Sequence, residues 1–380
     1  MNRVALVVTG VPGLLDEAGA AGDSWCLAQD VKTPALRAIG ERGHVISADL
    51  APAPSGVLEL FGVLHQPGLA STLLSAIAHG VSLEGAEMLF RCDLVTTVDG
   101  RVVDRLEGKV ADQEGRLLIA ALDERFGNDV VRFHPGSQHH HFLVVKDCRS
   151  VGATADDLSS MPLSVTGRAV PRGHRERAQH PLARYLAELA AQASEVLTMH
   201  EANQVRLDLR ENPANDLSIW GGMQPSAVKL SAPVSFDAMV TTTDYLVGLA
   251  RMLDIQVVAG HRHAEMTEAL SADALTLQRL LHSSDRVLLH VDVSGWSSAS
   301  GGRRSRCLEQ VDRLLVGPLQ ERVQRGNIRF AAVLLGDAVK RGAGRGQERS
   351  RCQAVLFDGD GATHRPKNGR LAEVLPWLCR

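Results

Sequence analysis

Short apolar runs closed by glycine, proline or small polar residues set the rhythm of this chain. Val4–Val8 is an unbroken run ended by Thr9-Gly10, the pattern of a strand buried on both faces of a parallel sheet. Thr33-Pro34 opens a short helix, with Thr33 as N-cap and Pro34 at the first helical position. A strand follows at Val45–Ile46, a loop over 51–56, and helices at Val57–Leu64 and Leu73–Ala78. From Met88 the pattern changes to short strands and turns. Leu89–Thr97 and Val102-Val103 flank an Asp99-Gly100 turn. The helix Gln113–Phe126 and the strands Val130–Phe133 and His141–Val145 come next, then a long amphipathic helix, Leu182–Met199. A short strand is expected at Ser218–Trp220. Ala238–Leu253 reads as a helix, Ile255–Val258 as a strand, Ala274–Leu281 as a helix and Arg286–Val293 as a strand. Cys307–Arg325 reads as a helix, with strands at Phe330–Leu335 and Val355–Phe357.

Strand and helix alternate from 238 to 357, so the expected fold class is α/β, a doubly wound and mainly parallel sheet. A smaller α+β domain is expected as an insertion. The boundaries expected are 1–80 with 182–380 for the larger domain and 81–181 for the insert. In open α/β sheets ligands bind beyond the carboxyl ends of the strands, so position 9 is expected to face an active site.

Composition narrows the class. The 380 residues suffice for two domains, and 44% hydrophobic content supports a sizeable core. A formal net charge of −3 gives no reason to expect a nucleic-acid or anionic-membrane partner. Six scattered cysteines form no CxxC pair, which fits a reducing, cytoplasmic setting rather than a zinc or disulfide framework. No apolar run approaches the ~20 residues of a membrane span.

Several stretches, all in order along the chain, carry a more specific signal. They include Phe90-Arg91-Cys92-Asp93-Leu94-Val95-Thr96, Val103-Asp104-Arg105 with Gly108-Lys109-Val110, and Phe133-His134-Pro135-Gly136 before His139. His200-Glu201-Ala202-Asn203-Gln204-Val205-Arg206 is followed by Asn212-Pro213-Ala214-Asn215 and Ile219-Trp220-Gly221, and Val316-Gly317-Pro318-Leu319 lies further on. Together they resemble the archaeal-type, cofactor-independent phosphoglycerate mutases of the alkaline phosphatase superfamily. The resemblance implies an alkaline-phosphatase-like sheet, two divalent metals and a transiently phosphorylated serine. Two such ions clamp the attacking and leaving oxygens and activate the nucleophile.

The positions that match the family's ligands hold other residues. Its first-strand Asp-Gly corresponds to Thr9-Gly10, its Gly-Ser-Asp loop to Pro52-Ala53-Pro54, and its Lys-Gly pair to Val247-Gly248. Its Asp-Thr-Asp-Pro-His segment corresponds to Ala153-Thr154-Ala155-Asp156-Asp157. Residues 293–308 contain no Asp, Glu or His, where the Asp-x-x-x-His pair should follow a strand. Asp337-Ala338 retains the aspartate of an Asp-His pair, as a vestigial metal position. On this reading no metal or other cofactor is expected. A divalent Mn, Mg or Zn would be needed only if the chain is an active mutase or a related phosphotransferase.

The resemblance leaves six polar candidates for holding a small phosphorylated or carboxylated metabolite: Arg91, Arg105, His139, Asn203, Arg206 and Asn215. Guanidinium forks suit both anions. The competing reading is that Arg206 and Asn215 brace a chain crossing between domains. Ser55 is the weak nucleophile candidate, and its bland reading is the N-cap of the next helix. His139-His140-His141, or His261 and His263 with Glu265, read either as a replacement metal site or as solvated strand ends. The basic stretch 340–351 reads as fixed cations around an anion or as a solvated loop. Thr9-Gly10-Val11-Pro12-Gly13 lacks the full dinucleotide fingerprint. The partners expected are a small anionic metabolite and a protein partner or second copy of the chain, with neither nucleic acid nor membrane.

Overall fold

A computed structural model describes residues 1–11, 31–50, 53–62, 67–151, 164–166, 181–225, 234–260, 265–297, 301–339, 349–357 and 374–379. In chain order its strands are β1 (Asn2–Val11), β2 (His44–Leu50), β3 (Met88–Val98), β4 (Arg101–Asp104), β5 (Val131–Ser137), β6 (His140–Val145) and β7 (Ser164–Thr166). Then come β8 (Asp216–Met223), β9 (Ala238–Thr241), β10 (Gln256–Ala259), β11 (Arg286–Asp292), β12 (Ile328–Val339) and β13 (Arg349–Phe357). The chain divides into two compact units, Met1–Pro67 with Leu230–Arg380, and Gly68–Lys229.

The first unit is mixed α/β. Among the described residues its sheet has seven strands in the order β10-β9-β11-β1-β12-β13-β2. β10, β9, β11, β1 and β12 run parallel, and β13 and β2 close one edge antiparallel. Val4 to Val8 are buried, as an all-apolar central strand requires. Val4, Leu6 and Val8 join Leu289, Val291, Leu334 and Val355 in one core, with Leu277, Leu308 and Leu315 from the helical segments.

The helix Pro34–Gly40 starts at Thr33 with Pro34 behind it, but the Thr33 hydroxyl makes no cap. The buried Asp312 carboxylate caps it instead, accepting from the N–H of Ala35 at 3.1 Å and of Leu36 at 2.7 Å. Burial pushes the Asp312 carboxyl up, and the two N–H groups offset part of that. Asp312→Ala would leave both buried donors unmatched and is expected to cost about 2 kcal/mol. Asp312→Asn should lose less, and thermal melting of the two variants checks the order.

The second unit packs helices against an antiparallel sheet. Among the described residues its strand order is β5-β6-β3-β8-β7, with β4 paired to β3 as a hairpin. Asp99 and Gly100 both take positive φ in the turn, the geometry that favours Asp-Gly. Phe90, Cys92 and Leu94 face one core with Leu118, Leu186 and Ile219. Leu89, Phe142, Val144 and Met223 face a second with Leu73 and Ala76.

Three sequence expectations need correction. Ala238–Thr241 is a strand, not the start of a helix, and the helix is Asp244–Met252. The β-branched Thr241-Thr242-Thr243 run separates them, with Thr243 at the N-cap position. Residues 182–229 belong with the second unit, because Leu182, Leu186 and Leu197 fill its core and β8 pairs with β3. The insert therefore begins earlier than 81 and ends later than 181. The helix expected over 307–325 is two helices, Gly301–Val311 and Gly317–Gln324, joined by a π-helical turn at Asp312–Val316.

Candidate functional site

In the first unit, β1, β9 and β11 end side by side, with Thr9 in register with Asp292. Two residues below Asp292, the buried His290 joins three hydroxyls. Its Nε2 lies 3.1 Å from Thr9 Oγ1, and its Nδ1 lies 3.2 Å from Thr241 Oγ1 and 3.3 Å from Thr243 Oγ1. A neutral imidazole has one donor and one acceptor nitrogen, and a hydroxyl serves either. Burial pushes the His290 ring down to about 4, against the attraction of Asp292. Burial, helped by the Asp292 charge, pushes the Tyr245 hydroxyl up. The Asp292 carboxylate itself accepts the N–H of Ser294 at 2.9 Å.

Position 9 sits at the carboxyl edge as expected. Its side chain does not open onto a ligand, since Thr9 is buried and its hydroxyl turns to His290. This edge presents the Asp292 carboxylate beside Thr9, and an imidazole whose two nitrogens are both engaged. No group of three or more His, Cys, Asp or Glu side chains converges anywhere among the described residues. An open catalytic metal site needs about three protein ligands per ion. The described strand-end residues therefore do not fit a pair of divalent ions.

Ser55 is the first residue of the helix Ser55–Leu60, whose N-cap is Pro54, so it is not the cap expected. The Asp337 side chain, the loop 340–348, His261, His263, Asp156 and Asp157 lie outside the described residues.

In the second unit a polar cluster sits on one face of the sheet. Asp93 on β3 accepts from Arg91 Nε at 3.2 Å, from His140 Nδ1 at 2.8 Å and from Trp220 Nε1 at 2.7 Å. The register that pairs Asp93 with His140 and Arg91 with Trp220 brings them together. Burial alone would raise the Asp93 carboxyl, but His140, Arg91 and Trp220 outweigh it and hold the group well below the usual carboxylate range. The Arg91 guanidinium carbon lies 5.6 Å from the Trp220 ring centre, in cation–π range. The buried His139 ring lies 3.6 Å from that of His140, and its Nδ1 has no partner. Burial, then the neighbouring His140 and Arg91, push His139 down to about 4.

The six candidate residues thus separate. Arg91 and His139 share this cluster, while Arg105 is exposed in the turn after β4. Asn203 is fully buried, donating to the carbonyls of Leu197 and Ala214 and accepting the N–H of Ala214. Asn215 accepts the N–H of Thr97 and donates to its carbonyl. Arg206 donates to the carbonyls of Asn212 and Lys109 and to both oxygens of Glu114. The polar atoms of these three side chains go to the chain itself, which favours bracing, and the bracing is within the second unit.

His290, Thr241, Thr243 and Tyr245 are not singled out by the sequence, nor is the grouping of Asp93 with Arg91, His140 and Trp220. One signal was present: a histidine flanked by Val287–Leu289 and Val291 in an apolar strand must spend its polar atoms on neighbours.

The comparisons with known proteins agree on a family. Residues 53–203 match the model of the family described as 2,3-bisphosphoglycerate-independent phosphoglycerate mutase. A protein of that name from Methanosarcina barkeri is 26% identical over 330 residues, covering 81% of this chain and 79% of its own. A probable enzyme of the same name from Geobacter sulfurreducens is 27% identical over 319 residues, covering 77% and 75%. A solved structure of a Pyrococcus horikoshii protein shares the fold, with a TM-score of 0.59 at 16% identity, covering 94% of this chain and 87% of its own. Over residues 53–203, and more distantly over about four-fifths of its length, the chain is similar to the 2,3-bisphosphoglycerate-independent phosphoglycerate mutases.

Proposed function

We propose that this protein binds a small phosphorylated or carboxylated metabolite and does not run the two-metal phosphoserine reaction of its family. It is either a degenerate homologue or an enzyme repurposed to metal-independent chemistry. One observation carries the reading. At the sheet edge where the family resemblance puts metal ligands, Thr9, Thr241 and Thr243 occupy both nitrogens of His290, and no group of three or more His, Cys, Asp or Glu side chains converges among the described residues. The absence of Asp, Glu and His from 293–308 supports it from the sequence. Arg91, stacked on Trp220, is the residue best suited to meet an anion, and Arg105 is the second.

The alternative is an active phosphoglycerate mutase or related phosphotransferase, and the names of the relatives favour it. The test combines metal analysis of protein purified without chelator with a coupled assay of 3-phosphoglycerate isomerisation in added Mn²⁺. We expect less than one tightly held divalent ion per chain, and no turnover on the enzymatic scale of about 1–10³ per second. Two bound ions with such turnover would establish the alternative.

A further inference from the structure

Asp93 organises the polar face of the second unit from behind. Its side chain is 13% exposed, against 34% for His140, so an approaching molecule meets its partners first. Arg91 and His140 hang on the same oxygen, Oδ1, while Trp220 holds Oδ2. An ionised carboxylate only accepts, so the His140 Nδ1 carries the proton of that bond. The bond fixes the tautomer of the neutral ring and leaves the Nε2 lone pair unused. Among the described residues neither His140 Nε2 nor the two Nη nitrogens of Arg91 has a hydrogen-bond partner. Asp93 steers the Arg91 guanidinium through Nε, and the Trp220 ring steers it from one side.

Charge counting shows what this arrangement lacks. Arg91 and Asp93 cancel, so with a neutral His140 the cluster has no net charge to offer an anion. A proton on Nε2 supplies one positive charge beside the unused guanidinium edge, and two charge-assisted donors then flank the same space.

The surroundings leave that proton to His140. His139 lies beside it, ring to ring at 3.6 Å, and burial pushes His139 down to about 4. Two adjoining imidazoles do not both charge easily, so the buried one stays neutral. His79, at the end of the helix Pro67–Ala78, stands behind Ser137, the β5 residue in register with His140. His141 points to the opposite face, where its Nδ1 accepts the Gly136 N–H at 3.0 Å. The three consecutive histidines therefore do not converge as a chelate.

We propose that His140, oriented by Asp93, is the proton-coupled arm of an anion site: a phosphate or carboxylate group bridges the unused edge of Arg91 and His140 Nε2, and the ring takes one proton from solvent as the anion docks. This rests on the reading of Arg91 as the anion contact. Linkage is reciprocal, so the anion favours the proton as much as the proton favours the anion.

Calorimetric titration of the full chain with sulfate tests this, because sulfate keeps its charge across neutral pH and phosphate does not. At constant ionic strength, sulfate should bind about tenfold more weakly at about pH 8 than at about pH 6. Titrations in buffers of different ionisation heat should show about one proton taken up per sulfate. His140→Gln keeps an N–H for Asp93 and should bind with no uptake and little pH dependence. Arg91→Ala should lose about tenfold or more in affinity, and Arg91→Lys should recover part of it. The buffer dependence of the parental chain stands even if a variant fails to fold. Binding that needs Arg91 but takes up no proton would overturn the inference and leave the reading of Arg91 intact. Uptake that survives in His140→Gln would overturn it as well. No binding by about 10 mM sulfate would remove both the inference and the role given to Arg91.

Discussion

Lowering the pH from 6.5 to 4 is expected to destabilise both units by several kcal/mol. The cause is buried histidine. His290 and His139 are pushed down to about 4 and His141 to about 3, from an ordinary 6.5, chiefly because burial disfavours the charged ring. A depressed folded value means that the unfolded chain takes up its protons first. The stability these rings support is therefore complete above about 6.5, and it is lost as pH falls toward the folded values. At ~1.4 kcal/mol per unit, His290 alone accounts for about 3 kcal/mol by pH 4. Asp93, whose carboxyl is held low, adds its own loss only at more acid pH, as it is protonated.

Calorimetric melting between pH 7 and 4 reads the effect as a steep fall in Tm. His290→Gln keeps hydrogen-bonding capacity toward Thr9 and Thr241 but cannot titrate, so it should flatten that fall for the first unit. A Tm that stays level from pH 7 to 4.5, or a glutamine variant with the parental slope, would contradict this account.

The fold was legible wherever one pattern acted alone. Val4–Val8 is a continuous apolar run and Arg286–Val293 a mainly apolar one, and both form central strands of the parallel sheet. Asp99-Gly100 forced a turn, and the turn is there. The failures lie where local pattern and long-range pairing compete. Ala238–Thr241 is a four-residue strand that adjoins a helix without glycine or proline between them, so only the run of threonines marks the change. The long helix Pro181–Met199 looked like the return to the larger domain. The packing of Leu182, Leu186 and Leu197 and the pairing of β8 with β3 show that the chain has not yet left the smaller unit.

The chemistry was legible in part, for a related reason. A resemblance in residue type identified Arg91, Asn203, Arg206 and Asn215, but residue type does not say where a side chain spends its donors. Asn203 and Asn215 resemble ligand-holding residues, yet they are occupied by the backbone of Ala214 and Thr97. Conversely, Asp93 and Trp220 meet only because β3 and β8 pair, across an interval of more than a hundred residues.

Arg206→Ala is expected to destabilise the second unit by about 3–5 kcal/mol, the cost of breaking a buried ion pair from one side. The Arg206 side chain is 5% exposed. Its Nε donates to Asn212 O at 2.7 Å, and Nη1 donates to Lys109 O at 3.0 Å and to Glu114 at 2.9 and 3.0 Å. Nη2 lies 3.4 Å from Glu211. One guanidinium thereby joins the helix Asp112–Phe126, the helix Glu201–Asp208 and the loop that delivers Asn215 to Thr97. Truncation strands the Glu114 carboxylate and two carbonyls together. Arg206→Lys should recover little, because a single ammonium cannot follow the divergent directions of the fork. Denaturant unfolding separates the two roles considered for this residue. If Arg206 instead held a ligand, the alanine variant would keep the parental midpoint and lose only its response to added phosphorylated or carboxylated metabolite. A bracing role predicts the reverse order, with the midpoint collapsing in the absence of any ligand.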